Sequence, residues 1–487
     1  MRHILLTTFL MFCAGTALGR QISYNEAYAI GADFIGKNIP SRTIARNNQP
    51  DSNTTCSPYY IFNAGDGGGF VIVAGDTRAK SILAYSPTGS LDNADMPPQL
   101  ASVLEQYARQ ISSLSKQAEN NIADTRTKAE ARSPKVLSTA LFHQGTPFNL
   151  LTPTVDDVHC PTGCVATAMA IIMKYHNWPD KEMGYQYLDY NWEMTPYDFS
   201  AEFDWDNILD DYSGSTTKAQ QLAVSKVMAE AGIAAGSDYG QYATGAFTTT
   251  LRSVLDRIFR FHPGMKEVQW KNYAGFEPVS ANYTDEEWYA MIVNEIDNNR
   301  PVLYGAGNYA RGGAHNFVID GYDNNLFHIN WGWGGNSNGF FALTALLPTD
   351  DYQSAYPDMH EMWIGIMPEE HRPGQTSKLY FDGREGYGIS YSVTAIESDV
   401  PVTIYLNGLQ YRLPDLKGEL GVALKNAKGE TVEIAAQTRP LSNGVIENVT
   451  FHTSGIGADW QLQAIYRENG GGWIEIPGCF GNDHCPT

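Results

Sequence analysis

A chain of 487 residues that is 43% hydrophobic and 18% charged is too long for one hydrophobic core, because single cores stop growing at roughly 250–300 residues. It is also too apolar to stay unfolded, so roughly two to four soluble domains are expected. Acidic residues outnumber basic ones 54 to 33, and the resulting net charge of -21 repels nucleic-acid phosphates and anionic membrane surfaces, which excludes polyanion binding as the expected role.

At the N-terminus, Arg2 and His3 precede a mostly apolar run, Ile4–Phe12, and Ala17-Leu18-Gly19 offers a small-x-small cleavage pattern. Residues 1–19 therefore read as an export signal, and no later segment reaches about 18 unbroken apolar residues, so no transmembrane segment is expected. Cys13 raises the alternative of a lipoprotein, against which stands the bulky Phe12 where such signals carry a small residue. Once Cys13 leaves with the signal, Cys56, Cys160, Cys164, Cys479 and Cys485 remain. The number is odd and too small for a disulfide scaffold, although Cys479 and Cys485 are near enough to bridge a terminal loop. An unpaired thiol in an exported protein calls for a chemical explanation.

From Gln21 to Leu114 the pattern predicts a small α+β unit: a helix over Tyr24–Ile35, strands at Tyr59–Asn63 and Gly69–Ala74, and a helix near Leu100–Leu114. The polar tract Ser115–Pro134, with Arg126, Lys128 and Arg132 spaced along it, reads as an exposed, protease-sensitive linker. A central domain over Lys135–Met367 carries the aromatic and glycine-rich segments, and Pro368–Ser377 reads as a second linker. Beyond it, short β-like runs at Ile389–Val393, Val400–Leu406, Thr431–Ala435 and Gln461–Tyr466 predict an all-β sandwich.

The strongest local signal is Pro161-Thr162-Gly163-Cys164-Val165-Ala166, a glycine turn running into Ala- and Met-rich sequence that ends near Tyr175. Cys164 is thereby placed at a helix N-terminus, where backbone N–H groups favour thiolate over thiol. A second segment, Gly312-Gly313-Ala314-His315 through Tyr322, is followed by Phe327-His328-Ile329-Asn330-Trp331-Gly332-Trp333. Two strands joined by a turn at Tyr322–Asn325 bring a histidine, an amide and two indoles toward one place. An imidazole there can hold a thiolate as an ion pair and protonate a leaving amine, while an amide or carbonyl fixes its tautomer. Upstream, Gln144 in Phe142–Asn149 can pair its side-chain N–H with the Cys164 N–H as an oxyanion hole.

Gln144–Asn149, Cys160–His176, His315–Asp323 and Asn330–Gly335 resemble the signature segments of the streptopain family of papain-like cysteine proteases, which includes enzymes of Bacteroidetes-type bacteria. Tyr59–Asn63, Gly67–Ala74 and Ala84-Tyr85-Ser86 are similar to that family's propeptide. The resemblance implies Cys164 as nucleophile, His315 as base, Gln144 as oxyanion donor and Trp331 or Trp333 as the indole beside the histidine. Papain-type enzymes read Asn-Ser-Trp where this chain reads Asn330-Trp331-Gly332-Trp333, so the residue that orients His315 stays open.

The rival readings are weaker. His143, His159, Cys160, Cys164 and His176 lack a second ligand pair at zinc spacing. Gly335-Asn336-Ser337-Asn338-Gly339 matches G-x-S-x-G but is followed by extended sequence rather than a helix. His360-Glu361 has Ile364 where a zinc protease needs histidine. The aromatic cluster around Trp331 also leaves open an exported, non-catalytic binder of carbohydrate or protein.

The expected fold class is thus α+β: signal peptide 1–19, propeptide 20–132, a papain-like two-subdomain catalytic domain 133–367, and an all-β sandwich 378–487. The expected function is that of a secreted cysteine endopeptidase made as a zymogen. It would act on proteins or peptides without metal or organic cofactor, with its own propeptide as intramolecular inhibitor, at the surface, in the periplasm or outside a bacterium.

Overall fold

The computed structural model describes residues 20–39, 42–44, 57–114 apart from 66 and 92–95, and 132–270 apart from 191–192, 247, 249–250 and 263–264. It further describes residues 283–307, 315–345 and 359–369 and most of 379–476. The expected signal, most of the first linker, most of the second, and Cys56, Cys479 and Cys485 lie outside these residues. Two compact units emerge. One comprises Met1–Asp95, Val103–Ser133 and Phe341–Tyr356, and the other Met96–Ser102, Pro134–Phe340 and Pro357–Thr487.

In the first unit, α1 (Tyr24–Asn38) starts at Ser23, whose hydroxyl accepts from Glu26 N–H while the Glu26 carboxylate takes the Ser23 N–H, a reciprocal cap that satisfies two otherwise orphaned donors. Ala27, Gly31 and Ile35, four residues apart, form its buried stripe against β1 (Tyr59–Asn63) and β2 (Phe70–Ala74). A methyl group at Gly31 would stand 3.2 Å from both Phe62 and Val71, so the helix lies this close to the sheet only because the residue is glycine. β3 (Ile82–Ser86) completes the antiparallel order β1–β2–β3. It was not among the strands predicted from the sequence, although four of its five residues are buried. α2 (Pro98–Leu114) buries Val103, Leu104, Tyr107, Ile111 and Leu114 along one face.

The second unit opens with β4 (Lys135–Val136) and the small hairpin β5 (Thr154–Val155) and β6 (Val158–His159). α3 (Cys164–His176) follows, buried continuously from Val165 to Met173. Such an all-round apolar helix belongs inside a domain. After the hairpin β7 (Gly184–Tyr190) and β8 (Glu193–Phe199) come α4 (Lys218–Ala234), the short pair β9 (Asp238–Tyr239) and β10 (Thr244–Gly245), and α5 (Leu251–Arg257). β11 (Lys266–Gln269), α6 (Asp285–Asp297), β12 (Val302–Gly307), β13 (His315–Asp323), β14 (Leu326–Asn330), β15 (Gly339–Phe341) and β16 (Met359–Ile364) finish this part. The strands run in the order β15–β14–β13–β12–β16–β11, with β4 on β13. One core joins α3, α4 and α5 to the sheet through Leu303, Val318 and Trp363. Helices on one side and an antiparallel sheet on the other give the mixed class expected, with α3 and its first residue at their junction.

The remaining described elements are all strands: β17 (Leu379–Phe381), β18 (Gly388–Tyr391), β19 (Pro401–Asn407), β20 (Leu409–Tyr411), β21 (Glu419–Lys425), β22 (Thr431–Gln437), β23 (Glu447–His452), β24 (Gln461–Arg467) and β25 (Ile474–Glu475). Sheets β18–β19–β23 and β22–β21–β24–β25 share a core that includes Ile389, Ile404 and Leu406 from one and Leu420, Val422, Ala464 and Tyr466 from the other, the packing of a sandwich.

A buried carboxyl pair ties β8 to α4. Glu182 accepts Ala201 N–H at 2.9 Å and meets Glu230 side chain to side chain, while Tyr197 OH reaches the Glu230 carboxylate oxygens at 3.1 and 3.2 Å. Two carboxyls can hydrogen-bond only if one is protonated. Burial first, and the Glu230 charge second, push Glu182 up to about 8. Between the ordinary value of 4.5 and that point, the unfolded chain has released a proton that the folded chain keeps. Stability therefore falls as pH rises through this window, by up to about 1.4 kcal/mol per pH unit for one proton. Glu182→Gln supplies a permanent N–H donor and is expected to flatten the fall in melting temperature between about pH 5 and pH 8; equal slopes in both proteins would show that the pair does not share a proton.

Candidate active site

The first turn of α3 has no side-chain cap, so its N–H groups need other acceptors. Gly163 precedes it with φ 84°, and a Cβ there would sit 3.0 Å from Thr244 O on β10; only glycine makes this turn at this clearance. Thr167 holds the turn from within, its hydroxyl donating to Gly163 O at 2.8 Å. The Cys164 thiol receives backbone N–H groups from Asn316, Val165 and Cys164 itself. Asn316 is the second residue of β13. Its N–H thus relates the start of the strand that begins with His315 to the start of α3, although the two residues are 152 positions apart in sequence (316 − 164).

The sequence argument expected the helix N-terminus to favour thiolate. The three N–H groups do lower the Cys164 pKa, yet burial of the thiol outweighs them and the net shift is upward. Burial also lowers His315. Desolvation penalises whichever form carries charge, so burial in the full-length chain works against thiolate and imidazolium alike.

Gln144 lies beside the same turn, its backbone oxygen accepting Thr162 N–H at 3.0 Å, two residues ahead of Cys164. Its side-chain amide makes no hydrogen bond among the described residues and is half-buried. The loop after β14 closes the surroundings. Gly332 approaches α3 so tightly that a Cβ would stand 2.9 Å from Thr167, and Gly334 N–H donates to Phe142 O at 2.9 Å. Trp333, half-buried, is held between these two attachments.

Two of the convergent groups take other work. In the β13–β14 register Asn330 faces Val318, three residues and about 10 Å along the strand from His315. Its amide donates to Thr139 Oγ1 and Ala140 O, each at 2.9 Å, and its oxygen takes Gly332 N–H at 3.1 Å. Among the described residues no hydrogen bond joins it to His315. Trp331 is fully buried, with Nε1 donating to Ser337 O at 3.0 Å and the ring 5.0 Å from Phe317. Sequence reasoning missed Asn316, Thr139 and Asp320. Thr139 OH donates to the buried Asp320 carboxylate, which also holds His328 Nδ1, so a polar chain runs from β13 through Thr139 and Asn330 to the Gly332 loop. An aspartate within the run Phe317-Val318-Ile319-Asp320 was the available signal. Cys160 and Cys164 are free thiols, and Cys160 is buried.

Comparison with known proteins agrees with this architecture. Residues 19–111 match the Spi protease inhibitor family and residues 142–341 the Peptidase C10 family. Streptopain of Streptococcus pyogenes is 37% identical over 323 residues, 60% of this chain and 75% of streptopain. The thiol protease/hemagglutinin PrtT of Porphyromonas gingivalis is 29% identical over 391 residues, 76% of this chain and 41% of PrtT. In structure the chain is similar to Prevotella intermedia prointerpain A, with TM-score 0.54 and 26% identity over 68% of this chain and 100% of that one.

The fold and the inhibitor domain ahead of it define a cysteine peptidase carried as a zymogen. The chain belongs to the peptidase C10 family, the streptopain-like enzymes. That membership decides between peptidase and non-catalytic binder in favour of the peptidase.

The upward shift of Cys164 has a measurable signature. Alkylation of Cys164 in the intact chain, followed by mass spectrometry on uncleaved molecules, is expected to need more alkaline pH than an ordinary thiol, with no plateau near neutrality. Rapid, pH-independent labelling from mildly acid pH upward would mean that the ion pair already exists before cleavage.

Proposed function

We propose that this is an exported endopeptidase in which Cys164 and His315 form the nucleophile and base. The observation that carries the assignment is the Asn316 N–H on the Cys164 thiol, which sets the first residues of β13 at the first turn of α3. In the active form the thiol proton passes to the His315 imidazole, and the thiolate sulfur attacks the scissile carbonyl carbon. Negative charge builds on the former carbonyl oxygen, and the Cys164 N–H with the Gln144 amide N–H are placed to take it. His315 then gives its proton to the leaving amine as the C–N bond breaks, leaving a thioester on Cys164. Water attacks that thioester with His315 accepting its proton, and the acid product leaves as the sulfur is released.

Trp333 is the indole we assign beside His315, because both neighbours anchor it at the site; Trp331 serves the core beneath. Asn330 ties the Gly332 loop to Thr139 and Ala140 through its three hydrogen bonds. Residues 1–19 direct export, and residues 20–132 are the removable inhibitor, with cleavage in the tract ending near Arg132. The peptidase occupies 133–367, and the β-rich region 378–487 is an accessory domain. Export accords with the N-terminal pattern, and among the described residues no helix is long and apolar enough to cross a membrane.

Cys164→Ala and His315→Ala are each expected to abolish peptide hydrolysis, since the two act as a unit. Gln144→Ala is expected to lower kcat by about 10²–10³, leaving a measurable enzyme. Asn330→Ala should lower thermal stability while the pH profile of kcat/KM keeps its shape, because its contacts are with Thr139, Ala140 and Gly332 and not with His315. The Cys164→Ala chain should persist uncut when pure and be trimmed when active enzyme is added. Near-normal turnover in either dyad variant, or normal trimming of pure Cys164→Ala, would sink the assignment.

A further inference from the structure

The adjacent strands β13, β12 and β16 set Asn316, Gly305 and Glu361 directly opposite one another, in the registers Gly305 to Asn316 and Gly305 to Glu361. Directly opposed residues share a face of the sheet. The next row along that face is Val318, Leu303 and Trp363, which belongs to the core shared with α3. One row nearer the start of β13, the apolar core therefore gives way to an amide and a carboxylate. Asn316 and Glu361 are only 4% and 2% exposed, and Asn316 Nδ2 has no hydrogen-bond partner among the described residues. Gly305 lies inside β12 with a backbone outside the left-handed region, so no conformational need calls for glycine, which weakens a strand. Space is the reason: a Cβ there would stand 2.9 Å from both Cγ and Oε1 of Glu361 and 3.2 Å from Asn316 Nδ2. The glycine lets both polar side chains reach the same place above β12.

That place adjoins the proposed chemistry. The backbone N–H of Asn316 acts on the Cys164 thiol, and its side chain leaves from the same residue. Glu361 stands two strands away, about 10 Å by backbone at roughly 4.8 Å per strand, with its side chain returning over Gly305. A substrate with its scissile carbonyl at Cys164 advances about 3.3 Å per extended residue, so a side chain close to the scissile bond is the one that reaches Glu361. A carboxylate only accepts hydrogen bonds, and a buried polar group costs free energy when its water is removed and not replaced. An apolar substrate side chain would impose that cost on Glu361 and on the Asn316 amide together. A lysine ammonium or an arginine guanidinium brings donors and opposite charge to the carboxylate. The Asn316 amide, two-fold about its last torsion, can turn its oxygen to the same cation.

We infer that Glu361, assisted by Asn316, is a specificity-determining residue that selects a cationic substrate side chain close to the scissile bond. The inference rests on Cys164 and His315 being the catalytic pair. Its ligand is a lysine or arginine side chain of the peptide substrate, recognised by one carboxylate and one amide across the glycine of β12.

The test uses active enzyme released from the full chain and a peptide library in which each position flanking the scissile bond is varied in turn. One position should favour arginine and lysine over norleucine. Glu361→Gln keeps the shape of the side chain and removes its charge, and it should lower the arginine-to-norleucine ratio of kcat/KM at that position alone by about 10- to 100-fold. Asn316→Ala, which keeps the backbone N–H, should lower the ratio by about 3- to 10-fold. Each ratio is internal to one enzyme preparation, so a loss of folded protein cancels from it. Dissociation constants of the arginine and norleucine peptides from Cys164→Ala protein trimmed by active enzyme should show the same preference without catalysis, and Glu361→Gln in that background should remove it. A parent that favours apolar side chains at every position, or an arginine preference that survives Glu361→Gln, overturns the inference. A preference for glutamine over arginine at the responding position overturns the cationic assignment. If Cys164→Ala still cleaves peptides while Glu361→Gln abolishes the arginine preference, the catalytic assignment fails and the specificity site stands.

Discussion

The site depends on the uncapped N-terminus of α3. Most helices satisfy their first N–H groups with a side-chain oxygen or with water; here glycine precedes the helix without a side-chain cap, and backbone N–H groups of Cys164, Val165 and, from the sheet, Asn316 act on the Cys164 thiol. A single sulfur atom is therefore the meeting point of the helical and sheet halves of the domain. The surrounding glycines follow from that crowding. Gly163 must clear Thr244, and Gly332 must clear Thr167 one turn into the same helix.

Much of this was legible in the sequence, for identifiable reasons. Helix boundaries were readable because Ser23, with Glu26 three residues on, caps α1, and because Pro179 lies just beyond α3. The β13–β14 hairpin was readable because its turn residues stand between two apolar runs, and Asn324 does adopt φ 54° there. What the hairpin argument missed was register. It assumed that the strand ends meet, whereas β13 extends three residues past the partner of Asn330, so the amide lands on Thr139 and Ala140 instead of on the histidine. Pairing offset is decided by core packing across the sheet, which no local pattern encodes. The carboxyl pair Glu182 and Glu230 was likewise invisible, since residues 48 positions apart (230 − 182) come together only after the chain around β8 and α4 has packed.

The protonation state of the dyad adds something that residue identities alone do not supply. A cysteine at a helix N-terminus and a histidine beside it suggest an ion pair, and in water-accessible surroundings the N–H groups would favour one. Burial works against both charges at once, raising the cysteine and lowering the histidine. In the proposed mechanism thiolate and imidazolium arise together by one proton transfer, so the desolvation of each group opposes the same step.

That double suppression bears on how latency can be released. α3 is buried from Val165 to Met173 and is pinned by Thr167 and the Gly332 loop, so the nucleophile's geometry is set by the core and has little freedom to be distorted and restored. His315, by contrast, is the first residue of its strand, with β12 pairing it through Ala306 near that strand's end. Changing the hydration of this one end of the sheet shifts the proton equilibrium without repacking the helix.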